Sequence, residues 1–418
     1  MVLDSRRLCD AGGTRKGQQR PGVRMLDRDE DGVGERLRRL RKLRGLTQQQ
    51  LAARAHLSTS LVKKVEQGRT PASAAFVALT ARVLGSKPTH LYGTDDREIV
   101  EEPNAAVEID ALRSALDAYD DPRPEGRPLT LDAARKRIAV LSRYVYGLRY
   151  ADAARELPGL LHHLYLLAEQ PGAEGEQARA ALHDAYRMVA SVAGRLRQAD
   201  LAAVASERHV QLAPLTGDPL RIAISAYHRS SGYLQHGDYR GGLRILDRAR
   251  EHVQSTPVDR AIAVQLHLRS AVLAARAGDS TEADGYIEEA RAMAGADVPD
   301  TPYYNIDASQ LNVTVHWCAA PVEQYDGTEA VKRAQQVRVA DRRRPERVGH
   351  HHIDMARAWM LHGDRAESLN HLNAARRVAP YNTRYHPAVR ETVLALADAD
   401  RRATDSLAGF ARWAGIRV

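Results

Sequence analysis

An all-α chain, a short globular head of helices followed by an α-solenoid, is the architecture this sequence predicts, and three observations predict it. Apolar residues recur at helical spacing over most of the 418 positions, and no convincing run alternates with the period of two that a half-buried strand needs. In the second half a helix-turn signal returns at intervals of about 42 residues, the mark of stacked helical hairpins. Positive charge is gathered near the N-terminus: Val33 to Gly93 holds 12 Lys and Arg against 2 acids, while the whole chain carries only +8, so the remainder is slightly acidic. A chain this long exceeds one compact core and needs a second domain or an extended array.

Residues 1–31 mix Gly, Arg, Gln and Asp without apolar periodicity. They bury too little to offset the entropy of ordering and are expected to be a disordered arm. A start codon assigned too far upstream would account for residues 1–24 equally well. Cys9 and Cys318 are the only cysteines, which excludes a disulfide framework or a multi-cysteine metal centre and fits two free thiols in a reducing compartment. No stretch approaches the roughly 18 uncharged apolar residues of a membrane span, and no apolar signal core opens the chain, so no membrane partner and a cytoplasmic placement are expected. Lysine is scarce, 7 against 54 arginines, and alanine is abundant, as GC-rich bacterial codons would supply.

The head spans residues 32–93. Leu37, Leu40 and Leu43 are expected on one side of a first helix whose other side carries Arg36, Arg38, Arg39, Arg41, Lys42 and Arg44, with Gly45 at its end. Thr47-Gln-Gln-Gln50 has the form of a capping box, in which hydroxyl and amide side chains satisfy free backbone N–H groups at a helix start. The second helix would turn Leu51, Ala52 and Ala55 inward. A short turn, His56-Leu57, leads to Ser58, an N-cap for a third helix with Leu61, Val62 and Val65 inside and Gly68 as its stop. Thr59, Ser60, Lys63 and Lys64 are left toward solvent on the first turns of a short helix, the geometry a recognition helix presents to a major groove. A fourth helix (Phe76, Leu79, Val83, Leu84) and the segment Leu91-Tyr92 close the core.

Taken together, LRRLRKLRGLTQQQLAARAHLSTSLVKKVEQGRTP resembles the phage Cro and repressor class of helix-turn-helix domains, called Xre-type, over about 60 residues; its markers are Leu46-Thr-Gln48, Leu51-Ala52, Ser58 and Glu66-Gln-Gly68. The resemblance implies a five-helix lambda-repressor-like DNA-binding domain with double-stranded DNA as its partner. Gln48 would clamp a phosphate, Thr59, Ser60, Lys63 and Lys64 would meet base edges or adjacent phosphates, and Thr47, Ser58 and Arg69 complete the expected contact set. Arg41 and Glu66 would form a structural salt bridge. His56 stands where the family usually has Gly, so a positive φ is expected there at some cost in strain. Domains of this size usually bind as dimers on two-fold sites, which predicts a homodimer, held partly by the repeats, on a palindromic operator.

A linker with one helix follows over residues 94–128, rich in charge and interrupted by Pro103 and by the triple-proline run Asp120 to Pro128. Residues 129–418 form the repeat domain. Similar turns recur at Gln235-His-Gly-Asp-Tyr239, Ala277-Gly-Asp279 and Leu361-His-Gly-Asp364, with Gly-to-Gly spacings of 41 and 85 residues. The missing turn would fall near Ala320, at Cys318-Ala-Ala-Pro321. Weaker cousins stand at Gln198-Ala-Asp200 and Arg149-Tyr-Ala-Asp152. Residues 229–256 resemble a tetratricopeptide repeat, with Gly237 and Tyr239 at the turn and Gly242, Leu246 and Ala249 where helices pack; the period exceeds the usual ~34 and the first-helix Trp is absent. The domain is therefore tetratricopeptide-like, an array with a concave groove.

No Walker loop, nucleophile elbow, His-Glu-x-x-His or dinucleotide fingerprint occurs, so no catalytic residue, cofactor or enzyme activity is expected. His350 and Asp354 share a helix face that would suit a divalent metal, but His350, His351 and His352 point three ways, and packing or solvation of these and of His362 and His371 is the simpler reading, as for His162-His163. No metal is expected. Tyr303, Tyr304, Asn305, His316 and Trp317 form an aromatic and polar cluster that would wall an effector pocket, with ordinary inter-helix packing as the competing account. Arg338 to Arg347 reads as a solvated basic loop. Regulators joining such a head to tetratricopeptide-like repeats include receptors for signalling peptides, so the resemblance implies a DNA-binding regulator with a peptide, small-molecule or protein effector. The alternative is an interaction scaffold tethered to DNA by its head.

Overall fold

The helical spacing of the first 60 head residues becomes five helices in the structure, a computed structural model that describes residues 32–93, 105–147, 149–196, 198–295, 306–339, 344–399 and 405–416. The expected arm at 1–31 lies outside these residues, as do positions 94–104 of the expected linker. The head comprises α1 (Val33–Leu43), α2 (Gln48–Arg54), α3 (Thr59–Glu66), α4 (Ala74–Leu84) and α5 (Pro88–Tyr92). Leu37, Leu51, Val62, Phe76, Leu84 and Leu91 close its core. Leu43 departs from expectation: it is 76% exposed. Six residues beyond Leu37 at 3.6 residues per turn, it lies a third of a turn off the buried face, and the stem of buried Arg41 covers that face instead.

Among the described residues every regular element is a helix. The expected linker helix is α6 (Ala105–Asp117), whose Ile109, Leu112 and Leu116 join one core with α7 (Leu131–Tyr146), α8 (Tyr150–Ala168), α9 (Gly172–Arg195) and α10 (Ala199–Leu212). Hairpins then follow: α11 (Pro219–His236) with α12 (Tyr239–Arg250), α13 (Pro257–Arg276) with α14 (Ser280–Met293), α15 (Gln310–Glu323) with α16 (Gly327–Gln335), and α17 (Pro345–His362) with α18 (Arg365–Val378). The chain ends in α19 (Pro380–Tyr385), α20 (Pro387–Ala399) and α21 (Asp405–Ala414). First helices pack on first helices, α11 on α13, α13 on α15 and α15 on α17, and α20 extends that layer from α17.

One device repeats at each of these four hairpin turns. Asp238, Asp279, Asp326 and Asp364 are the N-caps of the second helices, each accepting a hydrogen bond from a backbone N–H three residues on. The third turn corrects the expected break at Pro321: α15 runs through that proline and the turn falls at Tyr325 and Asp326. Proline leaves the carbonyl four residues earlier, Trp317, without its helical donor; the Arg333 guanidinium supplies one at 3.1 Å, so the helix continues. Tyr325 then takes the left-handed conformation, φ 63°, that glycines take at the other three turns.

The described residues pack as one unit. The head sits on the array through four ties. The Tyr325 hydroxyl accepts the Ser73 N–H at 2.8 Å, the Tyr239 hydroxyl donates to the Ala75 carbonyl at 3.3 Å, and Arg82 donates to the Gly237 carbonyl at 3.4 Å. At the far end of the head, the buried Glu391 carboxyl of α20 faces the Val33 N–H at the start of α1, whose own N-cap, Gly32, has no side chain to offer.

Candidate nucleic-acid interface

The helix-turn-helix forms because its capping chemistry is local. Thr47 and Gln50 make the reciprocal capping box at the start of α2, and the Ser58 hydroxyl accepts the Leu61 N–H at the start of α3. His56 adopts φ 56° in the intervening turn, the left-handed conformation expected where Gly is usual. With Leu51, Ala52 and Val62 buried between them, α2 and α3 cross, and the outer edge of α3 is left in solvent: Ser58, Thr59, Ser60, Lys63 and Lys64 are all exposed, as are Thr47 and Arg69.

Glu66, the one acid on α3, is withdrawn from that edge. Its carboxylate receives Arg41 Nε at 2.6 Å and Nη2 at 2.9 Å, and the pair is almost wholly buried, as the resemblance implied. The Gln48 amide Nε2 donates to Glu66 Oε2 at 2.7 Å, which ties the start of α2 to the end of α3. The surviving field on the outer edge is positive. Head residues in contact with the array, Ser73, Ala75 and Arg82 on or beside α4 and Val33 on α1, belong to other elements than α3, so docking leaves the edge open.

The expected effector cluster is divided. Tyr303, Tyr304 and Asn305 lie outside the described residues. Trp317 is held between the guanidinium groups of Arg291 and Arg333, 5.2 and 5.3 Å from its ring centre, and packs against neighbouring helices. His316 lines a cavity of about 360 Å³ between the array and the head. Sequence reasoning missed this cavity. Its walls come from α13, α15, α17 and the start of α20, and its roof from Ala72, Ala74 and Tyr92 of the head. His350 and Asp354 both line it, on the shared face that their spacing predicted, but no group of three metal-ligating side chains is found among the described residues. Burial pushes the Asp354 carboxyl up to about 7 and holds the imidazoles of His350 and His316 down at about 3 and 4. His352 meets His371 instead, Nδ1 to Nδ1 at 3.1 Å, away from that chamber. In the expected basic loop, Pro345 and Arg347 belong to the first turn of α17.

Residues 33–96 match the protein family described as a helix-turn-helix domain. The immunity repressor protein of Bacillus phage phi105 is 27% identical over 121 residues, 27% of this chain and 84% of the phage protein. Bacillus thuringiensis PlcR, solved in complex with the peptide PapR7 and DNA, aligns over 87% of this chain and 98% of its own at 12% identity, with a TM-score of 0.21, a superposition too loose to transfer any feature. The head is thus a helix-turn-helix domain, continued by a helical repeat domain.

Proposed function

We propose that this protein is a sequence-specific, Xre-type transcriptional regulator that binds double-stranded DNA as a homodimer on a palindromic operator and whose repeat domain couples an effector to that binding. One observation carries the reading: the edge of α3 formed by Thr59, Ser60, Lys63 and Lys64 is exposed and uncompensated by acid, while other parts of the head dock on the array. Thr59 and Ser60 are short donors at a helix start that suit base edges, and Lys63 and Lys64 lie within reach of flanking phosphates. Selection from random duplexes followed by gel shift should return a two-fold site. Changing Lys63 and Lys64 together to Ala should abolish the shift at physiological salt and lower the slope of log affinity against log salt by about 2 per head. Undiminished binding by that double variant would overturn the assignment.

A further inference from the structure

The chamber beneath the head is lined by two ionisable side chains of opposite sign, Arg347 and Asp354, that make no side-chain hydrogen bond among the described residues. Along α17, Arg347, His350, Asp354 and Arg357 fall at spacings of three, four and three, one stripe facing inward, where a packing helix would place apolar residues. Arg357 is accounted for: Glu323 stands between it, at 3.6 Å, and Arg276, at 3.2 Å. Arg347 has a loose ion pair with Asp307 at 3.8 Å and lies in the field of Glu346 and Tyr227, but it makes no side-chain hydrogen bond among the described residues, and Asp354 has no hydrogen-bond partner there either. His386 accepts the Ala388 N–H through Nδ1, and burial holds its imidazole well below the usual range, so it stays neutral beside them. The remaining wall is small and apolar, including Ala271, Ala275, Val315 and Ala320.

Both side chains keep partial access to solvent, and apolar side chains of similar volume would serve packing better, so their presence here calls for a polar occupant. About 360 Å³ lies at the small end of ligand sites, too small for a long peptide and ample for a metabolite. Arg347 and Asp354 are seven residues apart, about 10 Å along the helix axis, and both line the chamber. We propose that this chamber is the effector site and that it takes a small zwitterion, an amino acid or ω-amino acid, whose carboxylate meets Arg347 and whose ammonium meets Asp354. The assignment rests on the regulator reading and specifies its ligand. Since the roof belongs to the head and the walls to the array, an occupant touches both and biases their arrangement, which is the coupling an effector needs. An arriving ammonium favours the ionised carboxylate, so uptake near neutral pH should release a proton from Asp354.

The test uses the full chain. Thermal shift and titration calorimetry are run with the free L-amino acids, γ-aminobutyrate and 5-aminovalerate, each at millimolar concentration, and any binder is repeated as its N-acetyl and carboxamide forms. At least one zwitterion should raise the Tm, both blocked forms should fail, and binding heats should vary with the ionisation enthalpy of the buffer. Asp354→Asn, at a side chain with no hydrogen bond among the described residues to lose, should fold and lose at least tenfold in affinity, as should Arg347→Gln, with partial recovery in Arg347→Lys. No binder in the panel, or binding indifferent to both substitutions, would overturn the proposal. Gel shift without ligand is scored separately: operator binding with an empty panel refutes the zwitterion and spares the regulator, and a zwitterion bound by a chain that shifts no DNA does the reverse.

Discussion

Glu66 keeps its charge inside the head only because Arg41 meets both carboxylate oxygens and Gln48 adds a third donor. Taking one partner from such a pair strands the other charge in a medium that solvates it poorly, which costs more than the pair contributes when intact. Arg41→Ala should therefore destabilise the protein by about 3 kcal/mol, read as a lowered midpoint in urea; a loss under about 1 kcal/mol would mean that water reaches Glu66. Tyr325 is the other residue whose position exceeds its local role. It accepts a left-handed backbone that glycine would adopt without strain, and its ring packs on the core of the head while its hydroxyl takes the Ser73 N–H. The Gly-to-Tyr departure that hid this turn in the sequence is thus part of the joint between head and array.

Helices of the array stack because small residues sit where two of them approach. At Gly242 in α12 an added Cβ would lie 2.8 Å from Leu273 Cδ2 and 3.1 Å from Tyr233 Cβ. Leu273 is itself fully buried and has nowhere to go. Overpacking of that kind costs about 1–3 kcal/mol, against about 0.5–1 kcal/mol gained by removing a helical glycine, so the clash wins. Gly242→Ala should lower the Tm, whereas Gly285→Ala in α14, where nothing lies within 4 Å of the new Cβ, should raise it slightly. Equal shifts of one sign would show that α12 and α13 are less tightly apposed than described.

At the scale of the whole molecule, buried imidazoles dominate the response to acid. Burial holds His350 and His351 down at about 3, His267, His316 and His352 at about 4, and His183, His209 and His228 well below the usual range. These groups bind protons in the unfolded chain near pH 6.5 and refuse them in the folded one, so stability is lost as pH falls from about 6.5 toward 4, by up to about 1.4 kcal/mol per pH unit for each such group. Asp354 and Glu391, both pushed up to about 7 by burial, work in the opposite sense: the folded state keeps their protons as pH rises from about 4 to 7 while the unfolded state releases them, so their contribution declines over that window. The imidazoles outnumber the carboxyls. Thermal melts should therefore show Tm falling steeply below pH 6.5, and a Tm that held or rose toward pH 5 would contradict the burial of the histidine clusters.

Local chemistry was legible in the chain because it is contained in a few consecutive residues. The Thr47 capping box, the Ser58 cap, the positive φ at His56 and three hairpin turns depend on neighbours within one helical turn, and the paired lysines follow from helical spacing once Val62 and Val65 face inward. The head was readable for that reason. What only the tertiary structure decided is whatever joins residues far apart in sequence: Tyr325 on Ser73, Glu391 on Val33, Arg333 restoring the bond that Pro321 lacks, and the chamber that gathers Tyr92, Asp354 and His386. Periodicity names the face a helix buries but not the partner it buries that face against, since every apolar stripe is equally content with any other. The spacing shows that His350 and Asp354 share a helix face, but the sequence reads Arg347 as part of a solvated loop; that Arg347 and Arg357 continue that stripe, and that the stripe opens into a cavity roofed by the head, are facts of packing.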